Sequence, residues 1–351
     1  MSRLAKSALL TTLRLLWFID KNMARLRNKS MRSLPAEEQD EIFRDLELLP
    51  AVVHDRTWHT DTYKRFFRQM EKQGIHLTPN HFYSPIPDTG ELQTRPATRQ
   101  SGMVGIDWRV ERQLHLLKNV FPTFAEEYNA IPQEASPDLP PYAFHFDNGM
   151  YDFMDALVLY CMIRHLQPRL VLEVGSGYST RLSAQAALRN GGTEVVAIEP
   201  YPDPVLQAGF PGLSSLVTKR IEQVEFSQFA QLGENDILFI DTSHVVKTGG
   251  DVNYLYLEVL PRLRKGVVVH IHDIFLPEDY PLWWMTERTL FWNEQYLLQA
   301  FLTDNTDFQI LFANNFLRLN YLAQVKETFP ACRKLDYAQS VWLQRVQDSA
   351  A

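Results

Sequence analysis

Leu170-Val171-Leu172-Glu173-Val174-Gly175-Ser176-Gly177-Tyr178-Ser179-Thr180 is the stretch that decides the fold. A short apolar run of strand length meets two glycines, and hydroxyl residues that suit a helix N-terminus follow at once. Glycine belongs where a backbone must turn sharply and come close to a ligand. Outward from this turn the chain alternates. A helix is expected over 151–166, ahead of the strand at 169–174. A helix follows over 180–189, stopped by Gly191-Gly192, and a strand over 193–198 that runs into Glu199. Further on come a short helix at 203–208, a strand at 216–224, a short helix at 227–232 and a strand at 236–240. A helix at 251–263 and a strand at 267–271 complete the alternation. An aromatic segment fills 275–302, and the last strands fall at 308–312 and 340–346. Such alternation calls for an α/β fold, Rossmann-like, with a mainly parallel sheet and helices on both faces. Ligands of these sheets bind beyond the carboxyl ends of the strands.

The turn also says which ligand it suits. A dinucleotide fingerprint wants a third glycine three positions after the second. Thr180 stands there, and bulky Tyr178 follows Gly177. A phosphate-binding P-loop is excluded, because no Gly-Lys-Ser/Thr occurs. Glu199, at the end of the second strand, is placed to hold the two hydroxyls of a ribose. An acid before a two-glycine turn, Glu173, suits a ligand with a cationic amine and no phosphates, which describes S-adenosylmethionine (SAM). The cofactor-binding set is therefore Glu173, Gly175, Ser176, Gly177, Tyr178, Ser179, Thr180 and Glu199, with Asp241 facing the methionine end.

Three blocks carry a family resemblance: Glu173-Val-Gly-Ser-Gly-Tyr-Ser-Thr180 with Glu199, Asp236-Ile-Leu-Phe-Ile-Asp241-Thr-Ser-His244, and Pro261-Arg-Leu-Arg-Lys-Gly266-Val-Val-Val-His-Ile-His272-Asp273. They resemble class I SAM-dependent methyltransferases, above all the bacterial small-molecule and saccharide O-methyltransferases. The likeness runs over about residues 144–346. It implies seven strands, a SAM pocket over the first two and an acceptor over the fourth and fifth. Thr242 departs from the glycine common at that place, which leaves the substrate class open.

Asp241 ends the fourth strand, His244 follows it, and His272 and Asp273 end the fifth. Two imidazoles and two carboxylates on one rim are what removal of an acceptor proton requires. His244, His272 and Asp273 are the candidate catalytic residues. Asp241, His272 and Asp273 are candidate ligands of a divalent cation, held as some O-methyltransferases hold one. An all-oxygen set would suit Mg²⁺, whereas a histidine suits a transition metal better. A metal-free rim is the alternative. Trp283 and Trp284 begin a segment that either buries an aromatic face on the sheet or closes over the acceptor. Tyr83, in the stiff run His81-Phe-Tyr-Ser-Pro-Ile-Pro87, belongs either to a docking loop or to a cover of the SAM site together with Asn148 and Tyr151.

The rest of the chain bounds the function. Its 351 residues, 45% of them hydrophobic, suit one large α/β domain with an extension and rule out wholesale disorder. A Pro-rich stretch at 131–142 sets the expected division into a mainly helical region, 1–141, and the SAM-binding domain, 142–351. A net charge of −7 argues against a nucleic-acid partner. Cys161 and Cys332 make neither a disulfide framework nor a zinc site, so a reducing, cytoplasmic setting is expected. Residues 1–32 are basic and leucine-rich without a cleavage site. They read as a helix packed on this protein or on a second copy, as a membrane-surface helix, or as a targeting peptide. Two rivals to a methyltransferase stand: an enzyme that spends the sulfonium on another displacement, such as cyclisation, and a non-catalytic SAM-binding module.

Overall fold

The structure, a computed structural model, describes residues 61–76, 78, 80–96, 99–330, 332, 334, 335 and 338–348, together with Glu37. The basic segment 1–32 and, apart from Glu37, the rest of the region up to residue 60 that was expected to be mainly helical lie outside the described residues. The chain divides into two units, 1–92 and 93–351. In the first, helix Asp61–Glu71 ends ahead of Gly74, whose φ of +79° only glycine takes easily. Phe67 stacks on His76 with ring centroids 5.3 Å apart. Phe82 and Tyr83 lie against each other and are mostly exposed.

The second unit is built on seven strands. They are β1 Leu170–Val174, β2 Glu194–Ile198, β3 Ser215–Val217, β4 Ile237–Ile240, β5 Val268–His272, β6 Phe308–Ala313 and β7 Ser340–Arg345. Their order across the sheet is β3-β2-β1-β4-β5-β7-β6. Strands β1 to β5 pair in parallel, and β7 runs antiparallel to both of its neighbours. The order reverses between β1 and β4, so their carboxyl ends flank the crevice in which such sheets bind ligands.

Every residue of β1, β4 and β5 is buried. Alternation sends Val171, Ile237, Phe239 and Val268 to one face, against helices Phe153–Leu166 and Tyr178–Asn190. Leu172, Val174, Leu238, Ile240, Val269 and Ile271 go to the other, against helix Glu294–Leu302 and the helical run 251–262. Each such side chain stabilises the fold by roughly 1.5–3 kcal/mol, so these two layers hold the sheet rigid beneath the site.

Differences from the sequence expectation have local causes. The strand expected over 216–224 pairs with β2 through three residues only. Ile221 and Val224 are still buried, through a single 3₁₀ turn at Ile221–Gln223, so edge strand β3 stays short. Helices Asn314–Asn320 and Leu322–Thr328 connect β6 to β7. The helical run 110–129, grouped by sequence with the N-terminal region, lies in the second unit. Leu117 and Phe121 are buried in its core, and the Tyr128 hydroxyl donates to the Thr328 carbonyl at 2.9 Å. No helix among the described residues is long and apolar enough to cross a membrane.

Candidate active site

The turn after β1 is locked between the two neighbouring strand ends. Gly175 has φ +79°, and a Cβ on it would sit 1.6 Å from the Asp241 carbonyl oxygen. Its amide donates to Ile198 O at 3.0 Å, and Asp241 N donates to Val174 O at 2.9 Å. Gly177 differs: a Cβ there would meet nothing within 4 Å. Glu173 is fully buried and accepts from the Ser179 hydroxyl at 2.6 Å and the Thr180 hydroxyl at 2.8 Å. Burial pushes its carboxyl up, the two hydroxyls pull it back and Asp241 pushes it up further, to about 7. Glu199 accepts from Ser176 N at 3.2 Å and from Tyr201 N at 2.8 Å, which braces the turn against the exit of β2. Each of its oxygens keeps a further lone pair for a ligand.

Strand parity builds the rim. Glu173, Phe239 and His270 are register partners across β1, β4 and β5 and share one face. Two residues on, the same face carries Asp241 and His272 at the strand ends. His244 and Asp273 then leave β4 and β5 through left-handed backbone, with φ of 56° and 55°. That geometry folds their side chains back over the strand ends. His244 Nε2 lies 3.2 Å from Asp241 Oδ1 and 3.2 Å from Asp273 Oδ2. His272 Nδ1 lies 3.6 Å from both Asp241 Oδ2 and Asp273 Oδ2. His244 Nδ1 faces Glu294 Oε2 at 2.9 Å. Burial works against a charged His244, yet Asp241, Asp273 and Glu294 together push it up to about 10. Burial also opposes charge on His272, but Asp273 and Asp241 raise it well above its ordinary value. Desolvation of Asp241 is likewise outweighed by His272 and His244, which hold its carboxyl well below the usual range. His270, one layer down, is pushed well below its ordinary value by burial and then by His272.

Among the described residues, Asp241, His244 and Asp273 offer ligand atoms that all lie within 4.8 Å of one another. Neighbouring ligands of an octahedral cation with bonds of about 2.1 Å sit about 3.0 Å apart, close to the 3.2 Å that separates His244 Nε2 from an oxygen of each acid. The donor set thus fits a divalent cation with His244 in it, where sequence reasoning named His272 beside the two acids. His272 stands at the edge of this set.

The remaining expected residues fall into two groups. Trp283 is half-buried and Trp284 buried, in a cluster with Phe275, Tyr280 and Trp292. Trp292 lays its ring on His244 at 4.4 Å, so this aromatic cluster borders the rim. Tyr151 is buried, with its hydroxyl 3.3 Å from His270 Nε2 and its ring 4.8 Å from His272. It supports the rim from below. Asn148 spends its side chain on its own loop: its amide donates to His145 O and Tyr151 O, and its oxygen accepts from Met150 N and Tyr151 N. Tyr178 packs on His145 and under the Arg181 guanidinium. Tyr83 lies in the 1–92 unit and is 73% exposed. Sequence reasoning missed Glu294. An acid at a helix start reads as an ordinary partner of the helix dipole, and nothing local says that it is buried.

A mainly parallel sheet with a glycine turn after β1, an acid after β2 and a titratable rim after β4 and β5 defines a methyltransferase-type α/β domain. A family model described as a methyltransferase domain matches residues 172–274, from β1 to just past β5. An uncharacterized protein of Archaeoglobus fulgidus is 30% identical over 168 residues, which cover 45% of this chain and 75% of that protein. Among solved structures, the O-methyltransferase TomG from Streptomyces achromogenes, involved in tomaymycin synthesis and solved with SAM, is 14% identical. That match has a TM-score of 0.34 and covers 66% of this chain and 90% of TomG. The chain belongs to the class I SAM-dependent methyltransferase family.

Proposed function

We propose that this protein transfers a methyl group from SAM to a hydroxyl of a small molecule or saccharide, at a rim that also holds a divalent cation. The observation that carries this reading is the convergence of Asp241, His244, His272 and Asp273 beside the locked glycine turn. A hydroxyl acceptor must lose a proton as it is methylated, and a dense titratable cluster serves that need. Bound SAM supplies an electrophilic sulfonium methyl for in-line displacement. Open space over Gly177 receives it, and Glu199 takes the ribose hydroxyls. Glu173 holds the helix start at Ser179 and Thr180, which keeps the turn in shape. Asp241, His244 and Asp273 would hold the cation, which would supply positive charge beside the acceptor hydroxyl. The mixed nitrogen and oxygen donors favour Mn²⁺ or a similar transition metal over Mg²⁺. A cation balancing Asp241 and Asp273, the two acids that hold a proton on His272, would free that imidazole to take the acceptor proton, and the Trp283–Trp284–Trp292 surface excludes water beside it.

Labelled SAM with a panel of small hydroxyl acceptors, run with and without chelator, is the test. Labelled acceptor and S-adenosylhomocysteine are the expected products, with activity lost to the chelator and restored by Mn²⁺. Release of methylthioadenosine would mean internal cyclisation, and tight SAM binding without turnover would mean a binding module. Activity that ignores the chelator would leave the metal-free rim. His272→Ala and Asp273→Ala should abolish turnover while S-adenosylhomocysteine affinity stays within about threefold, a difference of roughly 0.7 kcal/mol. Full activity in both variants would move the chemistry elsewhere.

A further inference from the structure

We propose that Glu294 is a positioning residue that holds the His244 imidazole by Nδ1, keeps Nε2 turned to the rim and thereby sets the affinity of the rim for a divalent cation. The inference rests on the cation reading above. The short segment 292–294 meets His244 at its carbonyl, at a ring face and at its Nδ1 edge, away from the Nε2 that faces Asp241 and Asp273. Its carbonyl oxygen accepts from Asn293 N at 3.0 Å and from Glu294 N at 3.1 Å. Its ring face lies on Trp292. Its Nδ1 edge meets Glu294 Oε2 at 2.9 Å. The Asn293 side chain accepts from Val246 N at 2.6 Å, which fixes the loop two residues further on. Glu294 itself is 0% exposed, so water does not compete for its carboxylate.

The chemistry follows from the imidazole. Its two nitrogens are complementary: an acceptor that fixes a proton on one leaves the lone pair of the other free for a cation. A carboxylate behind a ligating histidine orients the ring and raises its basicity, and losing that partner typically costs 10–100-fold in metal affinity. Glu294 is the first residue of helix Glu294–Leu302, and its Oε2 is turned to His244.

Metal-stripped full-length protein titrated with Mn²⁺ alone tests this, with wild type, E294Q, H244A and the double variant compared below their unfolding transitions. E294Q should weaken Mn²⁺ by about 10–100-fold and leave S-adenosylhomocysteine affinity within about threefold. In the H244A background the same change should cost little more, since the lost effect passes through His244. An equal loss from E294Q with and without His244 would mean a general loss of charge or shape, and would overturn the proposal. Unchanged Mn²⁺ affinity in E294Q would overturn it as well. A wild-type protein that binds no Mn²⁺ would instead bring down the cation reading on which it rests.

Discussion

Glu173 keeps a carboxylate where solvent does not reach it, and this makes folding stability depend on pH. Its carboxyl is raised from an ordinary 4.5 to about 7. In that window the folded protein binds a proton more readily than the unfolded chain does. Stability from this group is therefore highest below pH 4.5 and falls as pH rises through 7. Glu173→Gln should remove the effect. In ligand-free protein it should gain on wild type by up to about 3 kcal/mol at pH 8, with the gain shrinking toward pH 5. Urea unfolding at the two pH values measures it, and a pH-independent difference would show that Glu173 is not held in this way. The position of Glu173 on the strand before the turn was legible in the sequence, because a strand followed by glycines fixes what precedes them. The pairing of His244 with Glu294 was not. The two are far apart in the chain and meet only because the aromatic segment loops out and returns. The left-handed backbone at His244 and Asp273 was equally silent, since histidine and aspartate tolerate that conformation without announcing it.

At the scale of the turn, its two glycines have different jobs and should respond differently to the same methyl group. Gly175→Ala places a Cβ inside the Asp241 carbonyl and forces a left-handed alanine. It should destabilise the fold by on the order of 3 kcal/mol, as overpacking and backbone strain add. Gly177→Ala has open space, so thermal stability should hardly change while S-adenosylhomocysteine affinity falls. Thermal melts paired with calorimetric titration separate the two. Unchanged affinity in Gly177→Ala would move the ligand off this turn. The strands were legible as elements because their apolar runs are short and bounded by glycine or by acids. Strand β3 was overread, because Ile221 and Val224 continue its apolar pattern while packing through a 3₁₀ turn. Helices Asn314–Asn320 and Leu322–Thr328 passed unnoticed, since each is only seven residues long and shows too little period to mark a face.

For the whole molecule, the α/β alternation and the mainly parallel sheet were legible in the sequence, because the glycine turn fixes where β1 ends and the acids fix where β2 and β4 end, whereas the strand order came only with the structure. Residues 1–32 lie outside the described residues, and two readings of them give opposite outcomes. A helix packed on the protein or on a second copy should leave anionic vesicles unbound, and its removal should lower the melting temperature or change the oligomeric state. A membrane-surface helix should co-sediment with those vesicles and release at high salt, as screening removes about 1 kcal/mol per basic residue. The first outcome is expected. The segment from Phe275 to Trp292 carries a different kind of consequence. Gln295 receives Phe275 N on its side-chain oxygen and donates to Glu278 O, while Asn293 and Glu294 fasten the other end to His244. Both feet of the loop are thus riveted by three consecutive residues. The stretch between them is an exchangeable cassette: a loop of another length or aromatic content, grafted between the same two feet, should leave the rim in place. On the proposed function, exchanging this stretch changes which acceptor is taken while the transfer chemistry stays where it is.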